Sequence, residues 1–362
     1  MQRRALVVTV VHHPEDARIR HREIAALLEA GWQVTYAAPF TGYGLPLPEV
    51  ASLEPVNLPR AQGRRRIGAL RAARRLLRER GAAHHVVLLH DPELLLAART
   101  SGLANVVWDV HEDTAAALTM KPWLPGWIAR PAAWAVRRLE LGAENRHHLI
   151  LAEHDYQHRF RKDHLVVPNT TRVPATLPAG GGRHVVYVGH NSRARGVQDL
   201  IDLGAALAGD GIAVRVIGHA DAEAAAALEA ASNSGTNALT WLGFRTHGEA
   251  MAELDGALAG LSLLHDEPNY RHSQPTKVIE YMAHGVPVVT TPLPKAVEVV
   301  EAADAGIVVP FGDTMASAEA IRSLANSPDK RDRLGANGHA YTRDHHDWTT
   351  KSVEFVDHLA SL

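Results

Sequence analysis

The 362-residue chain contains no cysteine. That excludes a disulfide framework and any thiolate metal site, and it fits a reducing cytoplasm. Neither sign of charge dominates: 38 Lys and Arg stand against 40 Asp and Glu, so no bulk attraction to nucleic acid is expected. No apolar run is long enough to span a bilayer. Met1 to Val11 is short and is interrupted at once by His12, His13, Glu15 and Asp16, so it reads as a first β-strand and not as a signal peptide. No repeat with a period of about 20–50 residues recurs. No Gly-x-Gly-x-x-Gly follows a strand, so the dinucleotide fingerprint is missing. What remains is an ordinary globular balance, 46% hydrophobic and 22% charged. The chain exceeds what one hydrophobic core usually serves, so two domains are expected.

Apolar strand-like runs alternate with alanine- and leucine-rich helical stretches from end to end, the pattern of βα units around a mostly parallel sheet. Residues Pro168 to Arg183 break that rhythm with three prolines and three consecutive glycines, the best linker candidate. The expected organisation is two Rossmann-like domains, 1–172 and 173–340, with residues 341–362 forming a C-terminal helix that returns to the first.

The most informative segment runs from Pro275 to Thr291. Pro275 is expected at the first position of a ten-residue helix, Gly285 at its left-handed end, and Val286–Thr290 as a buried strand. Lys277 and Glu280 lie three apart, on one helix face beside the free N–H groups of its start. A helix N-terminus with a lysine suits a diphosphate, and a nearby carboxylate suits ribose hydroxyls. Upstream, Tyr187-Val188-Gly189-His190-Asn191-Ser192-Arg193-Ala194-Arg195-Gly196 ends a strand and enters a helix. Arg193 and Arg195 there, with Lys277, are expected to converge on one anion at the carboxyl ends of strands. In the first half, His90-Asp91-Pro92-Glu93 and Trp108-Asp109-Val110-His111-Glu112-Asp113 each place a histidine at a strand's carboxyl end among carboxylates. The paired histidines His12-His13, His84-His85, His147-His148 and His345-His346 lack metal-ligand spacing, and no metal is expected.

In this order the motifs resemble GT-B fold glycosyltransferases, most closely the family-4 (retaining) group. The likeness covers nearly the whole length. It rests on His12-x-x-x-Asp16-x-Arg18-Ile19, the two histidine segments above, Tyr187-Val188-Gly189 with Arg195-Gly196, and Asn269-Tyr270 followed by Pro275-x-Lys277-x-x-Glu280-Tyr281-Met282-Ala283-x-Gly285-x-Pro287. The resemblance implies an α/β fold of two Rossmann-like domains facing each other across a cleft. It implies that Glu280 binds the nucleotide ribose and that Arg195 clamps the diphosphate. It places His111 in the catalytic centre beside the donor sugar. Gly243-Phe244-Arg245 lies where the base is held, and Ser273, Gln274 and Thr276 join the donor side. Three positions depart from the family pattern. His272 replaces the first motif glutamate, His190 replaces an arginine whose charge Arg193 or Lys277 then supplies, and a loop beginning His12-His13 replaces a glycine-rich one. On the acceptor side the expected residues are His12, Asp16, Arg18, His90, Asp91 and Glu112.

The activity implied is transfer of a sugar from a nucleotide-diphosphate donor, expected to be a UDP-sugar, to an acceptor hydroxyl with retention. No Asp-x-Asp metal pair is present, so His111, Lys277 and Arg195 carry the chemistry without cofactor or metal. The alternatives on this fold are a nucleotide-sugar 2-epimerase and a non-catalytic nucleotide-sugar-binding subunit. Arg60 to Arg80 holds nine arginines against one acid, Glu79, over an apolar stripe of Ile67, Leu70, Ala73, Leu76 and Leu77. That suits either a solvated helix or peripheral contact with an anionic inner membrane face and a lipid-linked acceptor. Trp123, Trp127 and Trp134, among basic residues nearby, are expected to be buried.

Overall fold

The computed structural model describes residues 2–111, 113–119, 125–177, 181–268, 270–271 and 273–362. The chain forms two compact units, Met1–Asn169 with Thr349–Leu362, and Thr170–Trp348.

Seven parallel strands make the first sheet: β1 (Arg4–Val8), β2 (Gln33–Ala38), β3 (Leu53–Asn57), β4 (Val86–Leu89), β5 (Val106–Val110), β6 (His148–Leu151) and β7 (Leu165–Val166). Their order is β3-β2-β1-β4-β5-β6-β7. Val8 pairs with Ala37 on one side and Leu89 on the other, so the order reverses at β1. The strands are apolar on both faces because helices cover both, as a parallel sheet requires. Those helices are α1 (Ala25–Glu29), α2 (Arg66–Arg80), α3 (Leu94–Ala98), α4 (Thr114–Thr119) and α5 (Gly126–Glu144). Leu6, Val8, Val87, Leu89, Ala73, Leu77 and Trp108 share one core.

The second sheet has six parallel strands: β8 (His184–Val188), β9 (Ala213–Ile217), β10 (Leu239–Trp241), β11 (Ala259–Ser262), β12 (Val288–Thr290) and β13 (Gly306–Val308). Their order is β10-β9-β8-β11-β12-β13, with the reversal at β8. The helices are α6 (Val197–Leu207), α7 (Ala222–Ser232), α8 (His247–Ala252), α9 (Thr276–Ala283), α10 (Pro294–Ala303), α11 (Thr314–Asn326) and α12 (Pro328–His345). A last helix, α13 (Trp348–Ser361), lies almost wholly in the first unit. Ligands of such sheets bind where the order reverses, beyond the carboxyl ends of the strands.

Helix α9 departs from expectation at its start. Pro275 precedes the first turn with φ −78 and ψ 91, and the helix is eight residues long. The proline carbonyl still accepts from Val278 N–H at 2.9 Å, so it serves as the cap and not as the first helical residue. At the other end Gly285 takes φ +67. Its N–H reaches Met282 O at 3.0 Å while Val286 N–H reaches Tyr281 O at 3.0 Å, the two bonds of a Schellman terminus. The carbonyl of Gly285 is seated against α12, where a Cβ on Gly335 would fall 2.2 Å from that oxygen.

Two other expectations are corrected. Trp127 and Trp134 are 77% and 63% exposed, because α5 turns Ala129, Glu140, Ala143 and Glu144 inward instead; Trp123 lies outside the described residues. Ile67 is 63% exposed, since the inner face of α2 is Ala69, Ala73, Leu76 and Leu77.

Tyr281 joins the second sheet to α9. Its hydroxyl accepts from Val188 N–H at 2.9 Å and donates to Leu261 O at 3.2 Å, where the β8–β11 ladder has ended. Its ring lies on Gly260, where an added Cβ would stand 2.2 Å from ring carbons. Gly260→Ala is expected to destabilise the protein by about 1–3 kcal/mol through overpacking, read as a lower urea midpoint with unchanged slope.

Candidate active site

In the first unit Asp109 is the hub. It sits on β5 with its carboxylate buried, and residues two apart on a strand share a face, so His111 falls beside it. Arg18 grips both oxygens, Nε to Oδ2 at 2.7 Å and Nη2 to Oδ1 at 2.6 Å. Its remaining Nη1 donates to Val167 O at 2.8 Å and to Asn169 Oδ1 at 3.2 Å. Asp16 orients the arginine by accepting from the backbone N–H of Arg18 and Ile19. His111 Nδ1 lies 3.0 Å and His90 Nδ1 3.3 Å from Asp109 Oδ2. His90 Nε2 faces Glu23 at 3.5 Å.

The protonation pattern follows. Burial opposes charge on Asp109, but Arg18 and the two imidazoles hold its carboxyl well below the usual carboxylate range. Burial, then repulsion from Asp109, push Glu23 well above it. Burial lowers His90 despite its bond to Asp109. His111 resists its burial through the hydrogen bond and charge of Asp109, and is held up at about 9. Its Nε2 faces His12 Nε2 at 3.0 Å, within hydrogen-bond distance. His12 Nε2 also lies 3.3 Å from Asp91, which in turn accepts from Thr9 and from the N–H groups of Val10 and Val11.

His12, Asp16, Arg18, His90, Asp91 and His111 thus form one network at the carboxyl ends of β1, β4 and β5. Glu112 lies outside the described residues. His90, Asp109 and His111 offer ligand atoms within 4.8 Å of one another. In the arrangement described, both imidazole Nδ1 atoms and Arg18 Nε converge on one oxygen of Asp109. Asp109 and Glu23 are site residues that sequence reasoning missed. An aspartate in an apolar strand, two before a histidine, was the available signal for Asp109.

In the second unit the carboxyl end of β8 and the start of α9 meet. Gly189 has φ +144, a conformation open to glycine, and a Cβ there would lie 3.1 Å from Lys277 Nζ. The loop is fixed from behind by Asn191, whose Nδ2 donates to the carbonyls of Gly189, Gly218 and His219. Lys277 is buried, its Nζ 3.7 Å from the centre of the Tyr187 ring, with no hydrogen-bond partner among the described residues. Arg195 stacks over Tyr270 at 5.6 Å and is near enough to bear on Lys277 electrostatically. Burial, then Arg195, lower the lysine well below its ordinary value, and Glu280, also buried, opposes them. Burial and Arg195 likewise lower His190.

Gly189, His190, Arg195, Lys277 and Glu280 therefore share one corner, with Tyr187 and Tyr281, which the sequence reading quoted in its motifs but gave no role at the site. Thr276 opens α9 beside them. Arg193 is exposed at the turn, so the amine placed at Gly189 is that of Lys277. Phe244 follows β10 and stacks on His219 with ring centres 4.4 Å apart, while Gly243 O accepts from Gly218 N–H. Ser273 is exposed before α9, and Gln274 reaches His346 at 3.4 Å. His272 and Asn269 lie outside the described residues.

A buried lysine and an arginine beside a strand–glycine turn and a helix start define a phosphate-binding domain of nucleotide type. Residues 171–341 match the family model of glycosyl transferases group 1. The whole chain is similar to sucrose-phosphate synthase from Thermosynechococcus elongatus (17% identity, TM-score 0.74, covering 100% of this chain and 99% of that one). It is similar to WaaG, a glycosyltransferase involved in lipopolysaccharide biosynthesis (14%, 0.70, 98% and 99%). It is also similar to HepE from Anabaena, solved in complex with UDP-glucose (14%, 0.67, 99% and 100%). No curated protein sequence matches the chain. The chain shares the GT-B fold of these structures, and the likeness to glycosyl transferases group 1 lies in its second unit.

The bond between His111 and Asp109 makes stability pH-dependent with a definite sign. Because His111 is held up at about 9, its contribution is complete below the unfolded value near 6.5 and is lost as pH rises through about 9. The thermal midpoint is expected to fall over that window by the equivalent of on the order of 3 kcal/mol at most. In His111→Gln the fall should flatten, measured by thermal unfolding at a series of pH values.

Proposed function

We propose that the protein transfers a sugar from a nucleotide-diphosphate donor, a UDP-sugar, to an acceptor hydroxyl with retention at the anomeric carbon and without a metal, as a family-4 enzyme. The observation that carries this is the buried Lys277 amine, without a hydrogen-bond partner among the described residues, beside Arg195, under Gly189 and at the start of α9. A buried amine without an acceptor implies a ligand that supplies one. The group 1 domain and the UDP-glucose complex of HepE support the donor class.

Breaking the anomeric C–O bond puts negative charge on the leaving diphosphate, and fixed cations in a dry site stabilise it. Each charge-assisted bond from Lys277 or Arg195 contributes about 1.5–3 kcal/mol. The start of α9 adds about 0.3–2 kcal/mol. Glu280 holds the ribose, the Gly243–Phe244 turn holds the base, and His190, Arg193, His272, Ser273, Gln274 and Thr276 complete the donor side. In the first unit His111 orients the transferred sugar, with His12, Asp16, Arg18, His90, Asp91 and Glu112 on the acceptor side. The acceptor's proton passes to a diphosphate oxygen on the same face. Lys277→Ala and Arg195→Ala are each expected to lower turnover at saturating UDP-sugar by about two orders of magnitude or more. Near wild-type rates in either folded variant would refute the clamp. NMR of the product should show the donor's anomeric configuration; an inverted product would refute retention.

A lipid-linked acceptor at an anionic membrane face is the second part of the reading. Arg71, Arg74, Arg75 and Arg78 line one exposed groove of about 440 Å³ on α2 with Glu79. Trp127 and Trp134 stand exposed on α5. No described helix is long and apolar enough to cross a membrane, so contact would be peripheral. Co-sedimentation with vesicles containing anionic lipid is expected at low salt and should fall steeply at high salt. Equal recovery with neutral vesicles would remove this reading.

A further inference from the structure

We infer that the donor's diphosphate binds together with a proton, Lys277 being a neutral amine in the free protein and an ammonium in the donor complex. This rests on the donor assignment above. Three observations lead to it. The Lys277 Nζ is enclosed, with the Tyr187 ring 3.7 Å away and the Gly189 backbone closing over it. It has no hydrogen-bond acceptor among the described residues. The charged groups around it also leave it uncompensated. From the turn after β8 come the cation Arg195 and the imidazole of His190. From β8 comes Tyr187, whose phenol burial pushes up to about 12, so it supplies no anion. From α9 itself come Glu280 and the buried phenol of Tyr281. Burial and Arg195 together outweigh Glu280, and the amine is held well below an ordinary lysine.

A diphosphate reverses each of these terms. It brings negative charge and acceptor oxygens to a place that has a cation and no acceptor, which favours the ammonium. A nucleotide-sugar diphosphate has no proton to release near neutrality, so the proton comes from solvent: R–NH2 and H+ give R–NH3+, and no other bond changes. Binding must then weaken with rising pH once the free protein has lost that proton.

The experiment is titration calorimetry of UDP-glucose into the whole protein, in buffers of different protonation heat, from about pH 6.5 to 9.5. The expected result is an uptake reaching roughly half a proton or more per donor, with affinity falling by up to about tenfold per pH unit at the alkaline end. Lys277→Arg should bind with the uptake abolished, because a guanidinium keeps its charge throughout. His190→Gln should retain the uptake. Tight binding with less than about a tenth of a proton across the range would overturn the inference while leaving the donor assignment intact. So would an uptake that survives in Lys277→Arg and disappears in His190→Gln. Failure of both UDP-glucose and UDP to bind would instead overturn the donor assignment.

Discussion

Each sheet reverses its strand order beside its unit's first strand, and the chemistry-bearing side chains hang from that reversal. At β1 the neighbours diverge to β2 and β4, and His12, His90 and Asp91 emerge there. At β8 they diverge to β9 and β11, and the turn carrying Gly189 and Arg195 emerges there. Right-handed crossovers between parallel strands leave no other open position at the sheet's carboxyl edge. The two units use one geometric solution for two different electrostatic tasks.

Those tasks are opposite in kind. In the first unit the charge of Asp109 is answered internally, by Arg18 on both oxygens and by imidazoles facing one of them. Such a network resists rearrangement, since removing one member strands another in a low-dielectric interior. It holds two imidazole nitrogens 3.0 Å apart. In the second unit charge is left open. Lys277 and Arg195 stand close together beside the buried Glu280, and the Lys277 amine meets no acceptor among the described residues. A carboxylate gripped on both oxygens fixes its neighbours in place, whereas an amine without an acceptor suits an anion.

Much of this was legible in the residues. The βα alternation, the helix stop at Gly285 and the histidines at strand ends each have a local cause, and each was read from a few neighbours. What escaped reading depends on distant partners. Arg18 and Asp109 are 91 positions apart, and nothing near either one announces the other. Glu23 looks like a surface helix carboxylate until Arg18 and His90 are placed beside it. Helix faces failed for a related reason: α5 buries Glu140 and Glu144 because Arg159 and the backbone of Arg161 and Lys162 receive them, and that leaves its tryptophans outside. Pro275 was displaced by one position because its carbonyl caps the helix as well as a first-turn residue would begin it.

The contact between Gly285 and Gly335 has a reach beyond packing. Two backbones touch there with no side chain to yield, so the helix bearing Lys277 and Glu280 is braced at its far end by α12. Drift toward larger residues along that stretch of α12 would therefore be felt as a lifted or tilted α9. A change at Gly335 would thus shift Lys277 and Glu280 without touching either one.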